Sequence, residues 1–131
     1  MFSRVGVFPS SLGAGDTYSD PLDTDGYQSA IVDLVVGDVG VGATADVSVE
    51  ESAADDPGGT WGAVADASFS KIYDDAVNTN LLGEVVLSPA RKRFVRVKLS
   101  VTGGSAQLSV KVWLMGPRDV LDLPLVFRVV E

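Results

Sequence analysis

Apolar and polar residues alternate along the last third of the chain with a period of two. In Phe94–Val101, Val95, Val97, Leu99 and Val101 share one side, and Phe94, Arg96, Lys98 and Ser100 the other. In Leu108–Met115, Leu108, Val110, Val112 and Leu114 alternate with Ser109, Lys111, Trp113 and Met115. Successive side chains of a strand point to opposite faces, so each run predicts a strand with one buried face. Thr102-Gly103-Gly104-Ser105 between them predicts the loop of a long antiparallel hairpin, its glycines free to take positive φ. Gly116-Pro117 ends the pair, and Leu125–Val130, after Pro124, predicts a final strand-like tail.

The middle of the chain repeats the theme. Tyr27–Val36 is β-branched and apolar on both sides, with Val32, Leu34 and Val36 opposed to Ile31, Asp33 and Val35. Such a segment predicts a central strand or one covered at an interface. A turn over Gly37–Gly42 leads into Ala43–Glu51, where Ala45, Val47 and Val49 alternate with Asp46, Ser48 and Glu50, the mark of a half-buried strand. Beyond a turn through Ala53–Thr60, shorter strands are predicted at Trp61–Val64, Phe69–Tyr73 and Leu81–Leu87. No window carries the continuous apolar stripe of an amphipathic helix; the best, Ser70–Leu82, is broken by Asp. About six to eight short strands separated by turn signals predict an all-β chain, an antiparallel sandwich or barrel.

Residues 1–26 read differently. Ser10-Ser11-Leu12-Gly13-Ala14-Gly15-Asp16 and Ser19-Asp20-Pro21-Leu22-Asp23-Thr24-Asp25-Gly26 are dense in turn formers. They predict an extended N-terminal arm, with Phe2, Val5, Val7, Phe8 and Leu12 seeking a surface on a partner or on the chain's own domain. The division expected is arm 1–26, sandwich domain 27–118, and C-terminal tail or final strand 119–131.

Composition narrows the chemistry. The chain has 131 residues, suited to one domain, with no Cys and no His. That removes His- and Cys-based nucleophile systems, disulfides and the usual zinc, iron–sulfur and haem ligand sets. The formal net charge is −8, which disfavours nucleic acid as a partner. Charge is segregated: residues 1–30 sum to −3, residues 31–85 to −10 and residues 86–131 to +5, a sign change that suggests complementary surfaces. No apolar run is long enough to span a membrane, and the start, with one Arg and a short apolar stretch, does not read as a secretory signal. The chain is therefore expected to be made and used without export.

Four groups of residues bear on function. Glu50 and Glu51 are adjacent on a strand, point to opposite faces and cannot form a catalytic pair with each other. Asp20–Gly26 has some spacing of a calcium loop, but Pro21 stands at the first ligand position and Val32 at the closing Glu position, so an Asx-rich turn is expected. The basic run Arg91-Lys92-Arg93 with Arg96 and Lys98 surrounds Phe94; Asp38, Asp46, Glu50 and Glu51 are available to neutralise it. A polar contact between proteins is favoured over nucleic acid. Trp113 shares its side with Lys111 and Met115 and fits a protein interface, whereas Trp61, Tyr73 and Trp113 together would make a sugar-stacking platform. No catalytic, cofactor or metal site is expected, and the chain is not expected to be an enzyme.

Two stretches carry a resemblance. Ala45-Asp46-Val47-Ser48-Val49-Glu50-Glu51-Ser52 runs into an acidic turn ending in Gly-Gly-Thr-Trp at Trp61. Arg93-Phe94-Val95-Arg96-Val97-Lys98-Leu99-Ser100-Val101-Thr102-Gly103-Gly104 is closed by Leu114-Met115-Gly116-Pro117-Arg118. This vocabulary resembles that of tailed-bacteriophage capsid cement (decoration) proteins across about residues 30–120. The resemblance implies an antiparallel β-sandwich, jelly-roll-like, that binds the outside of the major capsid protein lattice as a homodimer or homotrimer. It also implies the virion exterior as location, after synthesis in the host cytoplasm. The contacts expected are Phe2, Val5, Phe8 and Leu12 of the arm, Arg91, Arg93 and Arg96, Trp113, and Leu125 and Phe127 of the tail. The rival reading is a carbohydrate- or receptor-binding sandwich.

Overall fold

The alternation becomes burial. Val95, Val97, Leu99 and Val101 are buried, as are Leu108, Val110, Val112 and Leu114. The computed structural model describes residues 4–54, 59–75, 79–87, 91–116 and 125–129, with 4–10, 125, 126, 128 and 129 described by their backbone. These hold ten strands and no helix: β1 (Arg4–Leu12), β2 (Gly15–Tyr18), β3 (Leu22–Asp23), β4 (Ser29–Val39), β5 (Thr44–Ser52), β6 (Gly62–Ser68), β7 (Thr79–Val86), β8 (Phe94–Thr102), β9 (Ala106–Met115) and β10 (Leu125–Val129).

Two sheets face each other. The first has the order β1-β9-β4-β7-β10 and the second β2-β8-β5-β6, with β3 also on β8. All ladders are antiparallel except β10 on β7, which is parallel. The chain shuttles between sheets, and the runs β1-β9-β4-β7 and β2-β8-β5-β6 are the strand order of a jelly roll, with β10 added outside. The core between the sheets is aliphatic: Leu34, Leu99, Leu108 and Leu114 are its largest fully buried side chains, among many valines. Burying each such residue stabilises by about 1.5–3 kcal/mol.

β4 is central, flanked by β9 and β7. It runs three residues past Val36, so the turn begins later than its glycines suggest. β8 and β9, in contrast, are not a hairpin. β8 pairs with β2, β3 and β5, and β9 with β1 and β4. Thr102–Ser105 is a corner between sheets, so the two alternating strands face each other across the core. Gly103 takes φ +78° there, and a Cβ on it would stand 2.7 Å from the Gly42 carbonyl oxygen, so the β8–β9 corner and the β4–β5 turn interlock only through a glycine.

Of the two surfaces expected for the N-terminal segment, the chain's own domain is the one it uses, and as paired strands. From residue 4 on, β1 lies along β9, while β2 and β3 lie along β8. The turn-rich composition reflects interruption: a register shift between Val7 and Ser10, a corner at Gly15 (φ +128°), and a break at Asp20-Pro21. Across that break Ser19 carries the ladder on. Its N–H donates to the Val97 carbonyl (2.9 Å), and the Val97 N–H donates to Ser19 Oγ (2.8 Å). Breaks of this kind suit edge strands, which bond on one side only. In the tail, β10 extends the first sheet.

Candidate functional site

The outer face of the second sheet gathers the basic strand. Lys98 Nζ lies 3.8 Å from Asp16 of β2, and Arg93 grips Asp23 of β3 through two hydrogen bonds of 2.9 and 2.8 Å. Lys71 pairs with Asp46 at 3.1 Å. Arg91 Nη1 sits 3.7 Å from Glu51 Oε2, and Glu51 Oε1 accepts the Lys92 N–H (2.8 Å), fastening the approach to β8. The partner of Glu51 across the ladder is Val95, whereas that of Glu50 is Arg96. The adjacent glutamates thus serve opposite faces, as alternation requires.

Arg96 is the centre of this face. Its Nε and Nη2 both lie 2.8 Å from Glu50 Oε1, and both side chains are nearly buried, at 10% and 14% exposure. The guanidinium carbon is 4.0 Å from the Tyr18 ring centroid and 4.3 Å from that of Trp61. Tyr18 arrives from β2 on one flank of β8, and Trp61 from the run-in to β6 beyond β5. One planar cation on β8 therefore gathers side chains from β2, from β5 and from the run-in to β6, using cation–π contacts strengthened by desolvation.

Asp23 shows the effect of such pairing on ionisation. The hydrogen bond from Arg93, then that from the Asp25 N–H (3.0 Å), lower its pKa to about 2. The folded value lies below the unfolded carboxylate value of about 3.9, so the pair's stabilisation is complete above that pH and lost as pH falls toward 2. A carboxyl-detected NMR titration should give Asp23 a midpoint near 2. Arg93→Gln should return it toward the ordinary carboxylate range, and a midpoint unmoved by that change would show that Arg93 is not the cause. Both Asp23 oxygens are thus engaged within the chain, and the Asp20–Gly26 segment holds an Asx turn closed by Arg93.

The outer face of the first sheet is of another kind. Trp113 and Lys111 of β9 stand in register with Ile31 and Asp33 of β4, which in turn face Glu84 and Leu82 of β7. Ile31 and Met115 are buried although they lie outside the core between the sheets. Val35, at 45% exposure, and half-buried Trp113 and Leu82 continue the strip.

The expected contact residues are distributed over both faces and the core. Leu12 and Phe127 pack against the core. Val5 and Phe8 are placed on β1 and Leu125 on β10, at the two edges of the first sheet, and Phe2 lies outside the described residues. Arg91, Arg93 and Arg96 hold intrachain carboxylates. Trp61 and Trp113 lie on the outer faces of different sheets, so they do not form one platform with Tyr73. Asp16, Tyr18 and Asp23 complete the basic face and escaped the sequence reading. The alternation of Asp16 and Tyr18 was their signal, hidden by Gly15 and Pro21 on either side. No protein-family model and no curated protein matches the chain.

Proposed function

We propose that this chain is a virion structural protein that binds the outside of the major capsid protein lattice and stabilises a tailed-phage head. The observation that carries the reading is the contrast between the two outer faces. On the second sheet, charges are locked into intrachain pairs and the strands are tied through Arg96. On the first, Trp113, Leu82 and Val35 stand in successive rows, interleaved with Glu84, Lys111 and Asp33. An aromatic anchor among mixed apolar and charged positions suits contact with another protein surface. A closed sandwich with one rigidified face suits a clamp that must hold its shape under load.

The cement-protein resemblance supports the same reading. Its "R-F-V-R-V" segment leads into β8 and carries the Arg96 anchor, and its Thr-Trp turn supplies the Trp61 ring. Copies of the chain on the shell exterior would use the Trp113 face toward the capsid. Cryo-electron microscopy of purified heads from the phage that encodes this chain should show it on the outer shell with that face inward. Trp113→Ala should leave a folded protein that binds heads about tenfold more weakly, a loss of about 1.4 kcal/mol. An outer shell without the chain would overturn the proposal.

A further inference from the structure

The strands β1 to β9 complete the jelly roll, and β10 is appended to the outer edge of β7. Eight residues, 117–124, with Pro at both ends, connect it to Gly116. The acceptor edge has a definite shape. Phe127 is in register with Gly83, and a Cβ on Gly83 would stand 2.2 Å from the Phe127 ring. The same ring meets Phe69, a buried core residue, edge-on with centroids 4.9 Å apart. Gly83 is thus a hole in the sheet, Phe69 its far wall and Phe127 the knob. A free strand edge with one side-chain pocket is the arrangement by which proteins capture extended peptides: the ladder supplies affinity and the pocket specificity.

We infer that the β7 edge, with Gly83 and Phe69, is a strand-acceptor groove whose partner is residues 125–129 of a second copy of this chain. The segment seated there is the chain's own sequence, so another copy presents the same knob to the same hole. Exchange preserves the parallel ladder and the Phe127–Gly83–Phe69 contact, and the sheets on either side are complete without regard to which copy supplies β10. Swapping an identical element is for that reason a low-cost route to association. The register also matches charge, since Arg128 stands opposite Glu84. The inference holds whether or not the chain coats a capsid.

The chain has no cysteine, so disulfide trapping has no background. Glu84→Cys and Arg128→Cys are placed on separate, differently tagged full-length chains, which are mixed, incubated at high concentration and oxidised. Neighbouring strands lie about 4.8 Å apart, within disulfide reach. Exchange predicts a covalent heterodimer, well above the yield from Arg128→Cys mixed with Val41→Cys, a fully exposed position on the β4–β5 turn. Adding Phe127→Ala to the Arg128→Cys chain should lower that yield about tenfold, as expected for loss of 1.4 kcal/mol or more from one pocket. A yield no higher than the control would overturn the exchange, and a yield indifferent to Phe127→Ala would overturn the groove as its basis.

Discussion

Deletion of residues 1–26 should abolish the folded domain. The segment carries β1, the partner of β9 from Arg4 to Leu12, and β2 and β3, the partners of β8. Without it both strands lose a ladder partner, each hydrogen bond contributing about 0.5–1.5 kcal/mol net. Leu22 and Leu12 no longer cover the core. Tyr18 leaves Arg96, and Asp16 and Asp23 leave Lys98 and Arg93. These losses together are of the same order as the roughly 5–15 kcal/mol by which a domain of this size is stable. Circular dichroism and NMR of residues 27–131 should show no cooperative melt and no dispersed spectrum. A truncated chain that melts within a few degrees of the full one would refute the structural role given to β1–β3.

Arg96→Ala should destabilise by about 3–5 kcal/mol, the usual cost of leaving one member of a buried pair alone. Glu50 loses its partner, and the Tyr18 and Trp61 rings lose the cation they pack on. Arg96→Lys keeps the charge but not the planar fork that binds Glu50 through two nitrogens, so it should recover only part of the loss. The paired change Arg96→Met with Glu50→Leu should cost far less than either single truncation, because no charge is then left buried. Urea unfolding with unchanged m-values reads all three. A cost below about 1 kcal/mol for Arg96→Ala would place this pair with weak surface bridges instead.

The two outcomes mark where sequence reasoning reached and where it stopped. Periodicity identifies β4, β5, β8 and β9 and assigns the buried face of the last three, which are apolar at every second position, while β4 is apolar on both sides. It could not say which sheet a strand joins. A Thr-Gly-Gly-Ser loop serves a hairpin or a corner equally, and only packing across the core selects the corner. The N-terminal strands were hidden for a different reason. Edge strands bond on one side, tolerate Pro and bulges, and so lose the regular pattern. That concealment propagated to the site. Glu50 and Glu51, available to neutralise the basic run, hold Arg96 and Arg91, whereas Asp46 holds Lys71, outside that run. Asp38 belongs to β4 in the other sheet and does not face the basic strand, while Asp16 and Asp23 sat in the segment read as an arm.

The shuttling between sheets also sets the order in which the molecule can assemble. Among the strands of the described residues, only β5 and β6 are both consecutive in the chain and bonded to each other. Arg4, near the start, finds its place opposite Trp113, near the end. During synthesis β1 must therefore wait, unpaired, until β9 has emerged. Long closures of this kind give all-β domains folding times of about milliseconds to seconds, far slower than helical bundles. A chain with this topology is slow to begin, and the interruptions along β1–β3 make the strand that waits longest a poor template for aggregation.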